Sequence, residues 1–225
     1  MEVVQATGLA RPTVHRIVHV LIEEGIVERN GKTGRYAIGG QVSELALARR
    51  SRSRLLVTAE PWLAEVSTRI EDTVFLTTRT GLDTLCVARR IGSFPIQVLS
   101  IEVGARRPLG VSSAGVAILA ALPPSDTARI VEANRARFAA YRADVATVLG
   151  QIADARRRGY GFRDVGLIKG TRSLSACIMD ADERPLAAIT VSAIRHRLGP
   201  RRQSEVAEIV MRAASKIRND LDESV

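Results

Sequence analysis

Between Arg11 and His19 the sequence reads RPTVHRIVH, and its polar members are residue types that meet nucleic acid. Arg11 and Arg16 can neutralise phosphates or read guanine, Thr13 can donate to a phosphate, and His15 and His19 extend the same polar face. The apolar residues Val14, Ile17, Val18, Leu21 and Ile22 recur at the i, i+3, i+4, i+7, i+8 spacing of an amphipathic helix. Pro12 suits the first helical turn and Gly25 the C-terminal end, so the spacing predicts a helix of about 13 residues over 12–24. Its polar residues cluster in the first turns, where a recognition helix meets base edges.

The flanks give this helix a setting. Upstream, EVVQATGL reads as the end of a shorter helix closed by Gly8, which makes a helix-turn-helix. Downstream, Ile26 to Arg29 and Arg35 to Ile38 read as two short strands around Asn30-Gly31 and Thr33-Gly34. Lys32 lies at the tip and Arg35 on its flank, so a basic hairpin follows the recognition helix. That order is a winged helix-turn-helix, with Arg11, Thr13, His15, Arg16, His19, Lys32 and Arg35 as its DNA-facing candidates.

The remainder is built differently. VSELALARRSRSRLLVT (42–58) reads as a linker helix with a basic middle at Arg49, Arg50, Arg52 and Arg54, and EPWLAEVSTRIE (60–71) as a separate helix. Strand-like runs follow at 73–78, 84–92 and 95–104. A helix rich in small residues is predicted over 113–122, and its N-terminus offers free N–H groups to a carboxylate. Further helices are expected at 125–134 and 144–158, strands at 160–165, 173–181 and 186–194, and a last amphipathic helix at 201–222. Strand hairpins and helices in blocks point to an α+β domain with an antiparallel sheet.

Composition narrows the function. There are 33 Lys and Arg against 24 Asp and Glu, a net charge of +9, which favours a polyanionic partner. The longest apolar runs, such as VAILAAL, are far short of a membrane span, and no secretory signal is visible, so a cytoplasmic protein is expected. Cys86 and Cys177 give neither a disulfide framework nor zinc spacing, and no metal or cofactor is expected. GVSSAG (110–115) misses the G-x-S-x-G nucleophile elbow by one position. His196 is the only histidine outside the opening stretch, and the chain carries no P-loop, Rossmann fingerprint or HExxH. An enzyme is not expected.

Four ordered blocks carry a resemblance: TGLARPTVHRIVHVLIEEGIVERNGKTGRYAIG, RRPLGVSSAGVAILAAL, RRRGYGFRD and GTRSLSACIMDADERPLAAITVS. With the α+β pattern between them they resemble the IclR family of bacterial transcriptional regulators, and the resemblance covers essentially the whole chain. The resemblance implies a winged helix-turn-helix (1–40), truncated at its first helix, a linker helix (41–58) and a GAF-like effector-binding domain (59–225). It implies dimers or tetramers that bind double-stranded operator DNA and answer to a small, often acidic or aromatic, metabolite. Carried onto this sequence, the family's pocket positions are Ile96, Leu99, Ser113, Ala114, Arg163, Ser173, Thr190 and Ser192. The position matched to Arg163 is acidic in the founding member, so a basic group there would favour an anionic ligand or alter the ligand class. Gly110 replaces a histidine frequent after the family's Pro-Leu.

The residues agree with such a binder. Thr190 and Ser192 are two apart on one strand and face one side, and Ser173 on a neighbouring strand can converge with them. Hydroxyls near a helix N-terminus, with no base beside them, suit a carboxylate better than a reaction. The competing expectation is a GAF-like small-molecule sensor that does not bind DNA in this form.

Overall fold

In a computed structural model, described for residues 2–48, 50–164 and 168–223, the chain divides into two compact units, Met1–Arg54 and Leu55–Val225. The first unit opens with helices α1 (Glu2–Thr7) and α2 (Arg11–Glu23). Gly8, at a positive φ of 67°, turns the chain between them. Strands β1 (Val27–Arg29) and β2 (Tyr36–Ile38) then form an antiparallel hairpin with Arg29 opposite Tyr36. Helix α3 (Gln41–Ala48) follows. This is the predicted winged arrangement: α1, turn, α2, wing.

The second unit is a six-stranded antiparallel sheet covered on both faces. Its strands are β3 (Thr73–Thr80), β4 (Asp83–Arg90), β5 (Arg106–Pro108), β6 (Gly161–Arg163), β7 (Thr171–Met179) and β8 (Pro185–Ile194). They lie in the order β5-β4-β3-β8-β7-β6. Period-2 alternation explains the layering. Leu174, Ala176 and Ile178 of β7 and Ile189, Val191 and Ala193 of β8 face helices α4 (Arg50–Ile70) and α8 (Pro200–Glu223), forming the larger core. The intervening Ser173, Ser175, Thr190 and Ser192 face the opposite side. There α5 (Ser113–Ala121), α6 (Pro124–Phe138) and α7 (Val145–Arg158) build a second core around Leu109, Ile118, Ile130, Phe138 and Ile152.

Two expectations are corrected. The helix ending at 58 and the helix starting at 60 are not separate: α4 runs from Arg50 to Ile70 with Pro61 inside it. Leu55, Ala59, Leu63, Val66 and Ile70 form one buried stripe across the proline, and that packing outweighs the lost hydrogen bond. The carbonyl freed by Pro61 belongs to Val57, an exposed residue. Of the basic run predicted here, Arg49 lies outside the described residues, and so do the side chains of Arg50 and Arg52.

The strand expected over 95–104 is absent, and β5 begins only at Arg106. Side chains take the groups a strand partner would use. Gln97 donates to the Glu71 carbonyl and accepts from the Thr73 hydroxyl, while Arg89 and Arg107 donate to the carbonyls of Ile101 and Ser100. Residues 94–105 therefore form a strap fastened by side chains. Val165, at the end of the strand expected over 160–165, also lies outside the described residues.

Candidate functional site

On α2, Val14 is buried while Arg11, Thr13, His15, Arg16 and His19 are all exposed. Val18, Leu21 and Ile22 of the predicted apolar stripe are half-buried, but Ile17 of that stripe is 44% exposed. Ala10 at the N-cap makes no side-chain cap, which leaves the first N–H groups of α2 open to an anion. His19 lies 3.3 Å from Glu23, one turn further on.

The wing tip is shaped locally. The Asn30 carboxamide oxygen accepts from the backbone N–H groups of Lys32 and Thr33, both at 3.0 Å. Lys32 and Arg35 are exposed. Residues 1–54 carry nine Lys and Arg against five Asp and Glu. A polyanion thus finds cations on the helix and on the wing of the same small unit.

The second unit contains a cavity under the strap, between the sheet and the start of α5. Five of the predicted positions line it: Ser113, Ala114, Ser173, Thr190 and Ser192. Their hydroxyls are linked. Ser113 Oγ donates to Ser173 Oγ at 2.8 Å, Ser175 Oγ donates to Ser113 Oγ at 2.8 Å, and Ser175 and Thr190 share a hydrogen bond of 2.7 Å. This chain runs along the first turn of α5, whose N-cap Ser112 accepts from the Gly115 N–H at 3.1 Å. Replacing Ser112 by Ala is expected to lower stability by about 1 kcal/mol, read as a denaturation midpoint. An unchanged midpoint would mean another group takes the Gly115 N–H.

Three predicted pocket residues lie elsewhere. Ile96 and Leu99 are on the outer side of the strap, 57% and 49% exposed, and Val98, Ser100 and Ile101 line the cavity in their place. The strap is not a strand, so no period-2 rule fixes which of its residues turn inward. Arg163 pairs with Ser173 across β6 and β7, but its Nη1 donates to the Gly110 carbonyl and to Gln151 of α7. The first turn of α5 lies over β6 so closely that a Cβ on Gly161 would meet the Ser113 carbonyl oxygen at 2.4 Å. Arg163 is not among the residues lining the cavity, and burial lowers its pKa.

The sequence reading also missed residues. Ser175 lies two positions after Ser173 on β7, so strand alternation was a usable signal for it. Thr77, Thr84, Cys86 and Arg107 join the wall from β3, β4 and β5. Burial raises the Cys86 thiol pKa, against a smaller lowering by Arg89, and it lowers the Arg107 pKa. Burial also pushes Cys177, on β7, up to about 12. No His, Asp or Glu is among the residues lining the cavity. Its hydroxyls can grip an anion but have no neighbouring base to activate them.

Comparison with known proteins agrees with this architecture. The model of the bacterial transcriptional regulator IclR C-terminal domain matches residues 48–219, and that of the IclR helix-turn-helix domain matches residues 1–31. The transcriptional repressor IclR of Escherichia coli is 26% identical over 96% of this chain and 80% of its own length. The Pca regulon regulatory protein of Pseudomonas putida is 29% identical over 85% of this chain and 66% of its own length. The crystal structure of an IclR homologue from Microbacterium hydrocarbonoxydans, complexed with 4-hydroxybenzoate, superposes with a TM-score of 0.81 at 24% identity. It covers 98% of this chain and 89% of that one. A DNA-binding helix-turn-helix followed by an effector-binding domain defines a class of ligand-responsive regulators rather than enzymes. The chain belongs to the IclR family of bacterial transcriptional regulators.

Proposed function

We propose that this chain is a cytoplasmic repressor that grips operator DNA with its winged helix-turn-helix and is controlled by a small carboxylate or aromatic acid in the cavity under the strap. The observation that carries the effector class is the hydroxyl chain Ser173–Ser113–Ser175–Thr190 at the first turn of α5. A carboxylate there would exchange water for the O–H donor at the Ser173 end of the chain and the positive end of a helix. Ala114 and Ser192 complete the wall beside it. The family resemblance also gave the cavity Ile96, Leu99 and Arg163; the geometry supports the strap and sheet residues instead.

Two copies, as a dimer or within a tetramer, read a pseudo-palindromic operator. Arg11, Thr13, His15, Arg16 and His19 of α2 face the major groove, and Lys32 and Arg35 of the wing meet the backbone or minor groove. Ligand acts by binding one arrangement of the assembly more tightly than another, so that operator affinity changes by the same coupling free energy. The end of α4 is joined to the strap through Gln97 and the Glu71 carbonyl, which gives the cavity a physical connection to that helix.

The test is fluorescence anisotropy with promoter DNA flanking the gene, across a salt series. Specific binding should weaken steeply with salt. Replacing Arg16 by Ala should reduce affinity by about 1–3 kcal/mol if it reads a base. Unchanged affinity at fixed salt would remove Arg16 from the interface. Absence of any sequence-specific binding would favour a sensor that works without DNA.

A further inference from the structure

The cavity has two unlike ends. At one end stands the hydroxyl chain of β7, β8 and α5. At the other, β5 contributes Arg107. Its Nη2 donates to the Ser100 carbonyl at 2.6 Å, but its Nη1 is buried and has no partner among the described residues. No carboxylate is available on the wall to take it. An unmatched N–H on a buried cation is costly, and an acidic ligand group removes that cost. The other arginine of the wall, Arg172, is already engaged. Asp164 and the carbonyls of Arg195 and Leu198 accept from it.

The two ends are separated by the sheet itself. Strands β4 and β3 lie between β5 and β8. Three strand spacings amount to about 14 Å between backbones along the sheet. A carboxylate seated on the hydroxyl chain is held from β7, β8 and α5, and one seated at Arg107 is held from β5. A ligand that satisfies both carries an acidic group at each end.

We propose that Arg107 is a specificity-determining residue that makes the cavity selective for dicarboxylic acids over monocarboxylic acids of matching size. This rests on the reading of the cavity as the effector site. The hydroxyl chain takes one carboxylate and the Arg107 Nη1 takes the other, while Phe75, Val98 and Ile101 enclose the carbon skeleton.

Calorimetric titration of the full chain with matched pairs tests it: glutarate against pentanoate, adipate against hexanoate, terephthalate against benzoate. In at least one pair the diacid should bind roughly tenfold or more tightly than its partner, the worth of one charge-assisted contact. Arg107→Gln should erase that advantage, bringing the diacid down to the affinity of its monoacid partner. Arg107→Lys, which keeps the charge but not the fork, should retain part of it. Melting of the unliganded variants, read in parallel, separates a folding defect from a lost contact. Monoacid and diacid binding equally in every pair would overturn the proposal while leaving the cavity a carboxylate site. So would a diacid advantage that survives Arg107→Gln. Binding by none of the six acids would overturn both the proposal and the effector reading beneath it.

Discussion

Replacing Asp72 by Asn is expected to destabilise the effector unit by about 3 kcal/mol, because it strips the buried charge that two clustered cations share. Asp72 is 1% exposed and accepts from Arg197 Nε at 2.9 Å and from Arg202 Nη1 at 2.7 Å. Both arginines also donate to the Ile70 carbonyl at the end of α4, and Arg197 stacks over the Phe94 ring at 3.7 Å. The node thus joins the end of α4, the start of α8 and the first residue of the strap. Its backbone is held tightly as well. Glu71 adopts a positive φ of 67°, and a Cβ on Gly92 would meet the Glu71 carbonyl at 2.2 Å. Asparagine preserves the shape and one acceptor but leaves Arg202 without its carboxylate and Arg197 with only the exposed Glu71 at 3.4 Å. Denaturant unfolding followed through the single tryptophan, Trp62, reports this unit, since its indole donates to Asp220 of α8 at 2.7 Å. A loss well under about 1 kcal/mol would show that the two arginines simply turn to water.

Replacing Gly39 by Ala should disable the wing while leaving that tryptophan transition in place. A Cβ at Gly39 would lie 2.0 Å from the Gly25 carbonyl oxygen and 2.8 Å from its carbon. Both are backbone atoms, so no rotamer change relieves the clash. Gly25, at a positive φ of 65°, ends α2, and the Gly39 N–H donates to the Ile26 carbonyl at 2.9 Å. These two glycines bring the exit of the wing against the end of the recognition helix. Forcing them apart costs about 1–3 kcal/mol by the usual scale of overpacking. Val14 is the only buried hydrophobic side chain described in residues 1–54, so this unit has little core to absorb the loss. Operator affinity should fall by roughly tenfold or more, and the amides pairing Val27 with Ile38 should exchange faster. Gly40→Ala, where an added Cβ meets nothing within 4 Å, is the matched control. Normal DNA binding by Gly39→Ala would show that the close approach is dispensable.

The sequence by itself determined the elements whose signals are local. The 3.6-residue stripe of α2, with Pro12 and Gly25 at its ends, was legible because a helix repeats within a few residues. The wing was legible from its turn dipeptides. In β7 and β8, hydroxyls alternate with aliphatics, so one strand face had to be polar and the other had to enter a core. That alternation placed Ser173, Thr190 and Ser192 on one side of the sheet, and it would have placed Ser175 there too.

Only the tertiary structure decided which of these polar faces meets a cavity and what completes it. Pro61 reads as a helix boundary until Leu63, Val66 and Ile70 are seen to continue the stripe of Leu55 and Ala59 against the sheet. Ile96 and Leu99 read as pocket-facing until arginine side chains fix the strap with Val98 and Ile101 turned inward. Arg163 reads as a ligand contact until its guanidinium is found donating to the Gly110 carbonyl and to Gln151 of α7. Arg107 reads as one basic residue among many until β5 pairs with β4 and brings it to the cavity wall. In each case the deciding neighbour is remote in sequence or lies across a strand pairing. Periodicity along the chain carries no record of such a neighbour.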